Sequence, residues 1–221
     1  MTRHLIVMAK PPLAGRAKTR LANDIGPARA ASFCRLATGR LLHRLGGDPR
    51  WRTHLCVNAG AGEDYACWPT GMPRLRQGGG DLGARMARAM AGAGRGPVVI
   101  LGTDTPQVEP QDVAEAFTRL GAADAVFGPA DDGGYWLIGL ARRRPALRLF
   151  EGVRWSTEHA LADTAASLPS GFQVHYLRTL TDVDDADALR RMRAAWGEVR
   201  RGPWAPRSAP DGSSTGGPAP R

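Results

Sequence analysis

The sequence predicts an α/β fold on a largely parallel sheet, and three observations predict it. Pro97-Val98-Val99-Ile100-Leu101 is an uncharged, β-branched run of the kind found in strands buried on both faces. His4 to Met8 is a second such run, and it too stops at a loop rich in Pro and Gly. Between them, Pro27 to about Leu45 carries Ala31, Cys34, Leu36, Leu41, Leu42 and Leu45 at helical spacings, which suits a helix covering one face of the sheet.

A chain of 221 residues supports one well-buried domain or at most two small ones, and 43% hydrophobic with 23% charged residues is an ordinary globular composition. No apolar run is long enough to span a bilayer, and Leu5 to Ala9 is followed by Lys10 rather than a small-residue cleavage site. Cys34, Cys56 and Cys67 are odd in number and lack CxxC spacing, which argues against a disulfide framework or a zinc site. A cytoplasmic location with reduced thiols is the expectation, and no membrane partner is expected. The formal charge is +9 and the pI near 10.6. The arginines are nevertheless scattered, clustering only at 142–144 and 200–201, and 6% aromatics offer little surface for stacking bases. Small anionic substrates fit this pattern better than nucleic acid.

The loop after the first strand holds Lys10, Arg16, Lys18 and Arg20 around Pro11, Pro12 and Gly15. Cations this close repel one another unless an anion sits among them, so the loop reads as a phosphate cradle rather than a merely solvated turn. It lacks Walker A glycine spacing. The helix from Pro27 follows, then a second strand, Thr53 to Asn58. A long connection from Ala59 to Pro73 comes next, with a short helix expected at 63–67.

Gln77 leads into a literal GxGxxG, Gly78 to Gly83, and a helix running through Met90. A dinucleotide fingerprint is not the preferred reading. Pro73 to Gln77 is a poor buried strand, and the motif would leave the first strand and its basic loop unexplained. The glycines instead read as places where backbone approaches a base or ribose, with Gln77 as a hydrogen-bonding side chain.

The central strand ends in Gly102-Thr103-Asp104-Thr105-Pro106. Ligands of open α/β sheets bind beyond the carboxyl ends of the strands. Asp104 therefore reads either as a carboxylate holding a cation against a substrate phosphate, or as the cap of the helix expected from about Gln111 to Leu120. The strand Ala123 to Ala130 delivers Asp131-Asp132-Gly133-Gly134-Tyr135, a tight turn into the strand Trp136 to Leu140, read as a substrate loop although hairpin chemistry alone would account for it. Ser156 or Thr157 suits the N-cap of a helix reaching Leu168, with Trp155 available to wall an acceptor pocket. Gln173 to Leu177 is the last strand. Asp182, Asp184, Asp185 and Asp187 open a final helix, Ala188 to Arg200, where capping explains most of the acids and metal ligation explains one. The folded domain is expected over residues 1–201. From Gly202 the composition turns to Pro, Gly, Ser and Arg, which predicts a disordered tail.

Five motifs in this order, Lys10-Pro11-Pro12 with Gly15 to Leu21, Gly80 to Met86, Gly102 to Pro106, Gly128 to Tyr135 and Trp155-Ser156-Thr157, resemble the DUF2064 family of glycosyltransferase-A-like proteins, commonly labelled arsenosugar-biosynthesis glycosyltransferases. The resemblance spans about residues 3 to 198. It implies a GT-A fold, a Rossmann-like and mostly parallel sheet between helices, related to nucleotidyltransferases that activate sugars, molybdopterin and phospholactate. It implies Asp104 and Asp184 as ligands of Mg2+ or Mn2+, and Lys10, Gly15, Arg16, Lys18 and Arg20 around the nucleotide phosphates. Gln77, Gly83 and Arg85 would lie near base and ribose, Asp132 and Lys18 would take catalytic roles, and Gly133, Gly134, Tyr135 and Trp155 would form the substrate loop. The implied activity is glycosyl transfer from a nucleotide-sugar to a small acceptor. Nucleotidyl transfer from an NTP is the alternative. The sequence is silent on oligomeric state and leaves a homodimer open.

Overall fold

A computed structural model describes residues 1–58, 68–146 and 148–198. The helix expected at 63–67, Cys67 and the tail from residue 202 lie outside the described residues. Among the described residues thirteen elements follow one another: β1 (His4–Ala9), α1 (Thr19–Ile25), α2 (Pro27–Gly46), β2 (Arg52–Val57), β3 (Arg74–Arg76), α3 (Leu82–Gly92), β4 (Val98–Leu101), α4 (Pro110–Arg119), β5 (Ala125–Pro129), β6 (Tyr135–Leu140), α5 (Ala160–Ala166), β7 (Val174–Tyr176) and α6 (Ala186–Glu198). The strands form one sheet in the order β3-β2-β1-β4-β6-β5-β7. Only β6 runs antiparallel, between β4 and β5.

The β-branched runs form the centre of the sheet, and their alternation fills both faces. Leu5, Val7, Val99, Leu101, Val126 and Leu137 face Leu41, Leu42 and Leu45 of α2 and Val113, Ala116 and Phe117 of α4. Ile6, Ile100, Phe127 and Ile138 face Met86, Ala89 and Met90 of α3. Burying each of the larger side chains is worth about 1.5–3 kcal/mol. A third cluster joins Leu21 of α1 and Phe33 of α2 to Val183, Leu189 and Met192, so α1 and α6 share one support.

Three expectations are corrected. Arg74–Arg76 is a strand after all, paired in parallel with β2 at the sheet edge, where exposed arginines at both ends are tolerated. Helix α4 is capped by Glu109, in a reciprocal capping box with Asp112, and not by Asp104. Helix α5 begins at Ala160 rather than at Ser156 or Thr157, because Ser156 turns into the left-handed region at φ 61° and Thr157 Oγ1 accepts from His159 N ahead of the helix.

At the opposite end of the sheet from the strand carboxyl termini, His4 and His54 are both buried. His4 Nε2 donates to the Arg95 carbonyl at 3.1 Å, which leaves its Nδ1 to accept from His54 Nε2 at 3.1 Å. His54 Nδ1 is buried without a partner among the described residues. A second proton on His54 would be buried unsatisfied. Burial, then His4 and Arg52, hold its pKa down to about 4. The unfolded chain therefore takes up a proton near pH 6.5 that the native state refuses until about pH 4. Stability from this group is full above pH 6.5 and falls with acidification across that window, by about 2–3 kcal/mol. Urea unfolding at pH 7 and pH 4 is expected to show this loss for the wild type and a smaller one for His54→Gln. Equal pH slopes in the two proteins would refute the assignment.

Candidate functional site

The strand order reverses direction between β1 and β4, since the chain moves outward from β1 to β2 and β3 on one side and resumes at β4 on the other. Such a switch point opens a crevice at the carboxyl ends of the strands. The loop leaving β1 brings Lys18 to this place, and the loop leaving β4 brings Asp104. The segment between β7 and α6 adds Asp182 and Asp184.

Lys18 Nζ lies 2.6 Å from Asp104 Oδ1 and 2.8 Å from Asp184 Oδ1. Its side chain is 6% exposed, whereas those of Asp104 and Asp184 are 55% and 41% exposed. Burial disfavours the ammonium, but the two carboxylates outweigh it and its pKa is raised. Lys18 precedes α1 in the left-handed region, with φ 50° and ψ 55°, a conformation costing a non-glycine residue about 1 kcal/mol. The turn is held by its surroundings. Leu21 packs against Val183 and Leu189, and Asp24 Oδ2 accepts from Ala186 N at 3.0 Å, so α1 and α6 are docked together.

The two acidic loops are laced to each other. Val183 N donates to the Asp104 carbonyl at 3.0 Å, Thr105 Oγ1 donates to Asp182 Oδ1 at 3.1 Å, and Gln107 Nε2 donates to the Thr181 carbonyl. Arg178 grips the buried Asp112 through two bonds of 2.7 Å, tying this loop to α4, while Arg44 of α2 reaches Glu109 and the Pro106 carbonyl. The acids before α6 thus divide their work. Asp185 caps the helix by accepting from Ala188 N, and Asp184 takes Lys18. Asp182 does not cap α6; burial, helped by Asp104, pushes its pKa up to about 6 against the pull of Thr105 and Lys18. Its alternation with Asp184 around the buried Val183 was the available signal.

Asp104 and Asp184 present hard oxygen donors that already converge on one cation, the ammonium, and such a donor set suits Mg2+ or Mn2+. Among the described residues no group of three or more His, Cys, Asp and Glu forms an all-protein metal cage. Two carboxylates with water and phosphate completing the shell is the usual arrangement for Mg2+.

The other expected residues sort into two groups. Lys10, Gly15 and Arg16 are exposed on the loop after β1, and Arg20 is exposed in the first turn of α1. Asp132 is exposed on the turn between β5 and β6 at the same edge, its Oδ1 accepting from Gly134 N at 2.9 Å. Gln77, Gly83 and Tyr135 pack against protein groups. The Gln77 amide is buried and donates to the Ala9 and Cys56 carbonyls, closing the ends of β1 and β2. A Cβ on Gly83 would stand 2.5 Å from Phe150 Cβ and 2.8 Å from Trp155 Cζ2, so protein rather than ribose fills the space beside it. The Tyr135 hydroxyl meets Thr164 and Met86, and its pKa is raised by burial. Arg85 donates to the Gly80 carbonyl, and Arg88 binds the Gln77 and Gly79 carbonyls, pinning the glycine loop to α3. Trp155 lies over Phe150, with its indole nitrogen buried and unpartnered among the described residues.

The chain is similar to a candidate nucleotide-diphospho-sugar transferase from Desulfovibrio desulfuricans G20, at 29% identity over 91% of both chains with a TM-score of 0.79. A CMP:2-keto-3-deoxy-manno-octonic acid synthetase complexed with CTP shares the fold at 11% identity, with 90% of this chain and 100% of that one covered and a TM-score of 0.60. Rv0371c of Mycobacterium tuberculosis H37Rv in complex with manganese does so at 18% identity, covering 87% and 98%, with a TM-score of 0.52. No curated protein matches in sequence. The sheet is therefore that of the GT-A-like nucleotide-diphospho-sugar transferases. Residues 41–157 match the model described as an uncharacterized protein conserved in bacteria, DUF2064, and these residues contain the Asp104 loop and the Asp132 turn: the chain belongs to the DUF2064 family.

Proposed function

We propose that the protein is a transferase acting at the diphosphate of a nucleotide, with glycosyl transfer from a nucleotide-sugar as its reaction. The carrying observation is the convergence of Asp104 and Asp184 on one cation across the β1/β4 crevice. The likeness to a candidate nucleotide-diphospho-sugar transferase supports the donor class. Asp104 and Asp184 would hold Mg2+ or Mn2+, which when bound neutralises charge building on the departing diphosphate. The manganese complex of a protein with the same fold supports a divalent ion.

The exposed Lys10, Arg16 and Arg20 bind the phosphate oxygens and orient the donor along the strand ends. Asp132 is held by its own turn and accepts the proton of the acceptor hydroxyl, or steadies positive charge on the sugar. Nucleotidyl transfer is the second reading, favoured by the CTP complex of the synthetase with this fold. The same cations would then bind a triphosphate.

Isothermal titration against NTPs, UDP-sugars and GDP-sugars, with Mg2+ or Mn2+ and again with EDTA, separates the readings. Metal-dependent binding of one sugar nucleotide is expected. Selective binding of a free NTP would favour nucleotidyl transfer, and an absence of metal-dependent binding would sink both.

A further inference from the structure

We infer that Lys18 occupies the cation position of the Asp104–Asp184 pair in the nucleotide-free protein, so that the site admits a divalent metal–diphosphate complex and excludes the free metal ion. The inference rests on the reading of these two aspartates as metal ligands.

Both Oδ1 atoms already point at one nitrogen, at 2.6 and 2.8 Å. A divalent ion arriving alone meets an ammonium that has taken the convergent point and repels it. An ion arriving with a diphosphate brings anionic oxygens that offset the lysine charge and complete its own shell. Lys18 is suited to this work in a way that its neighbours in the basic loop are not. Lys10, Arg16 and Arg20 are exposed, whereas the Lys18 side chain is almost wholly covered and lies on the protein side of two half-exposed carboxylates. Its left-handed backbone and the docking of α1 on α6 keep it there. Lys18 is thus a positioning residue that sets the order of loading.

The test is water-proton relaxation enhancement by Mn2+, which reads protein-bound metal without turnover. Wild-type protein is expected to bind Mn2+ alone at least tenfold more weakly than in the presence of saturating inorganic pyrophosphate. Lys18→Met is expected to bind Mn2+ alone roughly tenfold or more tightly than wild type, and so to lose the dependence on pyrophosphate. Lys18→Arg keeps the charge and is expected to keep the exclusion.

Equal wild-type affinity for Mn2+ with and without pyrophosphate overturns the inference, even if Lys18→Met fails to fold. Unchanged Mn2+ binding in a folded Lys18→Met does the same. If pyrophosphate-dependent binding occurs but is as strong in Asp104→Ala as in wild type, the metal-ligand reading itself fails. That result is distinct from a failure confined to Lys18.

Discussion

Asp104→Ala is expected to lower turnover about a hundredfold to a thousandfold while leaving the fold intact. Two carboxylates form the proposed cation site, and this change deletes one of them. The remaining Asp184 still pairs with Lys18 at 2.8 Å, so the buried ammonium is not orphaned. The Asp104 side chain is more than half exposed, and the backbone bond from Val183 N to its carbonyl survives the substitution. Stability should therefore change little. Metal and preorganised charge at a departing phosphate are each worth several kcal/mol at the transition state, or about two to three powers of ten in rate for a single lost contact. Steady-state turnover with the donor identified by titration, read beside a thermal melt, decides the matter. Activity within tenfold of wild type would remove Asp104 from the chemistry.

Gly133→Ala is expected to cost about 2–4 kcal/mol in stability and most of the activity. Gly133 has φ +83°, a conformation that a side chain resists. An added Cβ would also stand 2.6 Å from Glu158 Cα, and backbone cannot swing away as a flexible side chain does. Its carbonyl accepts from Leu161 N at 3.1 Å, so the turn carrying Asp132 and the segment leading into α5 are built on each other. Forcing them apart displaces Asp132 and Trp155 together. Gly134→Ala is the control. There the nearest atom to a new Cβ is Asp132 Oδ1 at 3.0 Å, a side-chain end that needs to give by only a few tenths of an ångström, and φ is not positive. Chemical unfolding of both variants should show Gly133→Ala clearly the less stable. Equal stabilities would mean that the Glu158 contact yields easily.

The buried strands were legible because Val98 to Leu101 and Leu5 to Val7 are apolar on both faces, which only a covered sheet tolerates. The turn at Asp132 was legible from Asp-Gly-Gly. Arg74-Leu75-Arg76 was not, since a three-residue edge strand is defined by its neighbour β2 rather than by its own pattern. The site shows the same division. An acid after an apolar strand marked Asp104, whereas only the family resemblance set Asp184 apart from the other acids before the last helix. Nothing local sorted Lys18 from Lys10, Arg16 and Arg20, because its burial depends on a left-handed turn in a non-glycine residue and on α6, far along the chain. The packing of Gln77 and Gly83 was hidden for a related reason. The carbonyls of Ala9 and Cys56, and the side chains of Phe150 and Trp155, which pack against them, are remote in sequence.

Lys18 and Asp184 are 166 residues apart, and that separation has a temporal meaning. Synthesis proceeds from the amino terminus at about 5–20 residues per second, so the lysine is made many seconds before its second carboxylate exists. During that interval β1, β2 and β4 can assemble with their helices, and the ammonium can reach Asp104 but nothing more. The paired-acid centre closes last, after α6 has been delivered and docked on α1. A nascent or truncated chain lacking the segment before α6 could therefore hold most of its sheet and none of its finished centre, which makes the meeting of Lys18 with Asp184 a readout of the delivery of that segment rather than of sheet formation alone.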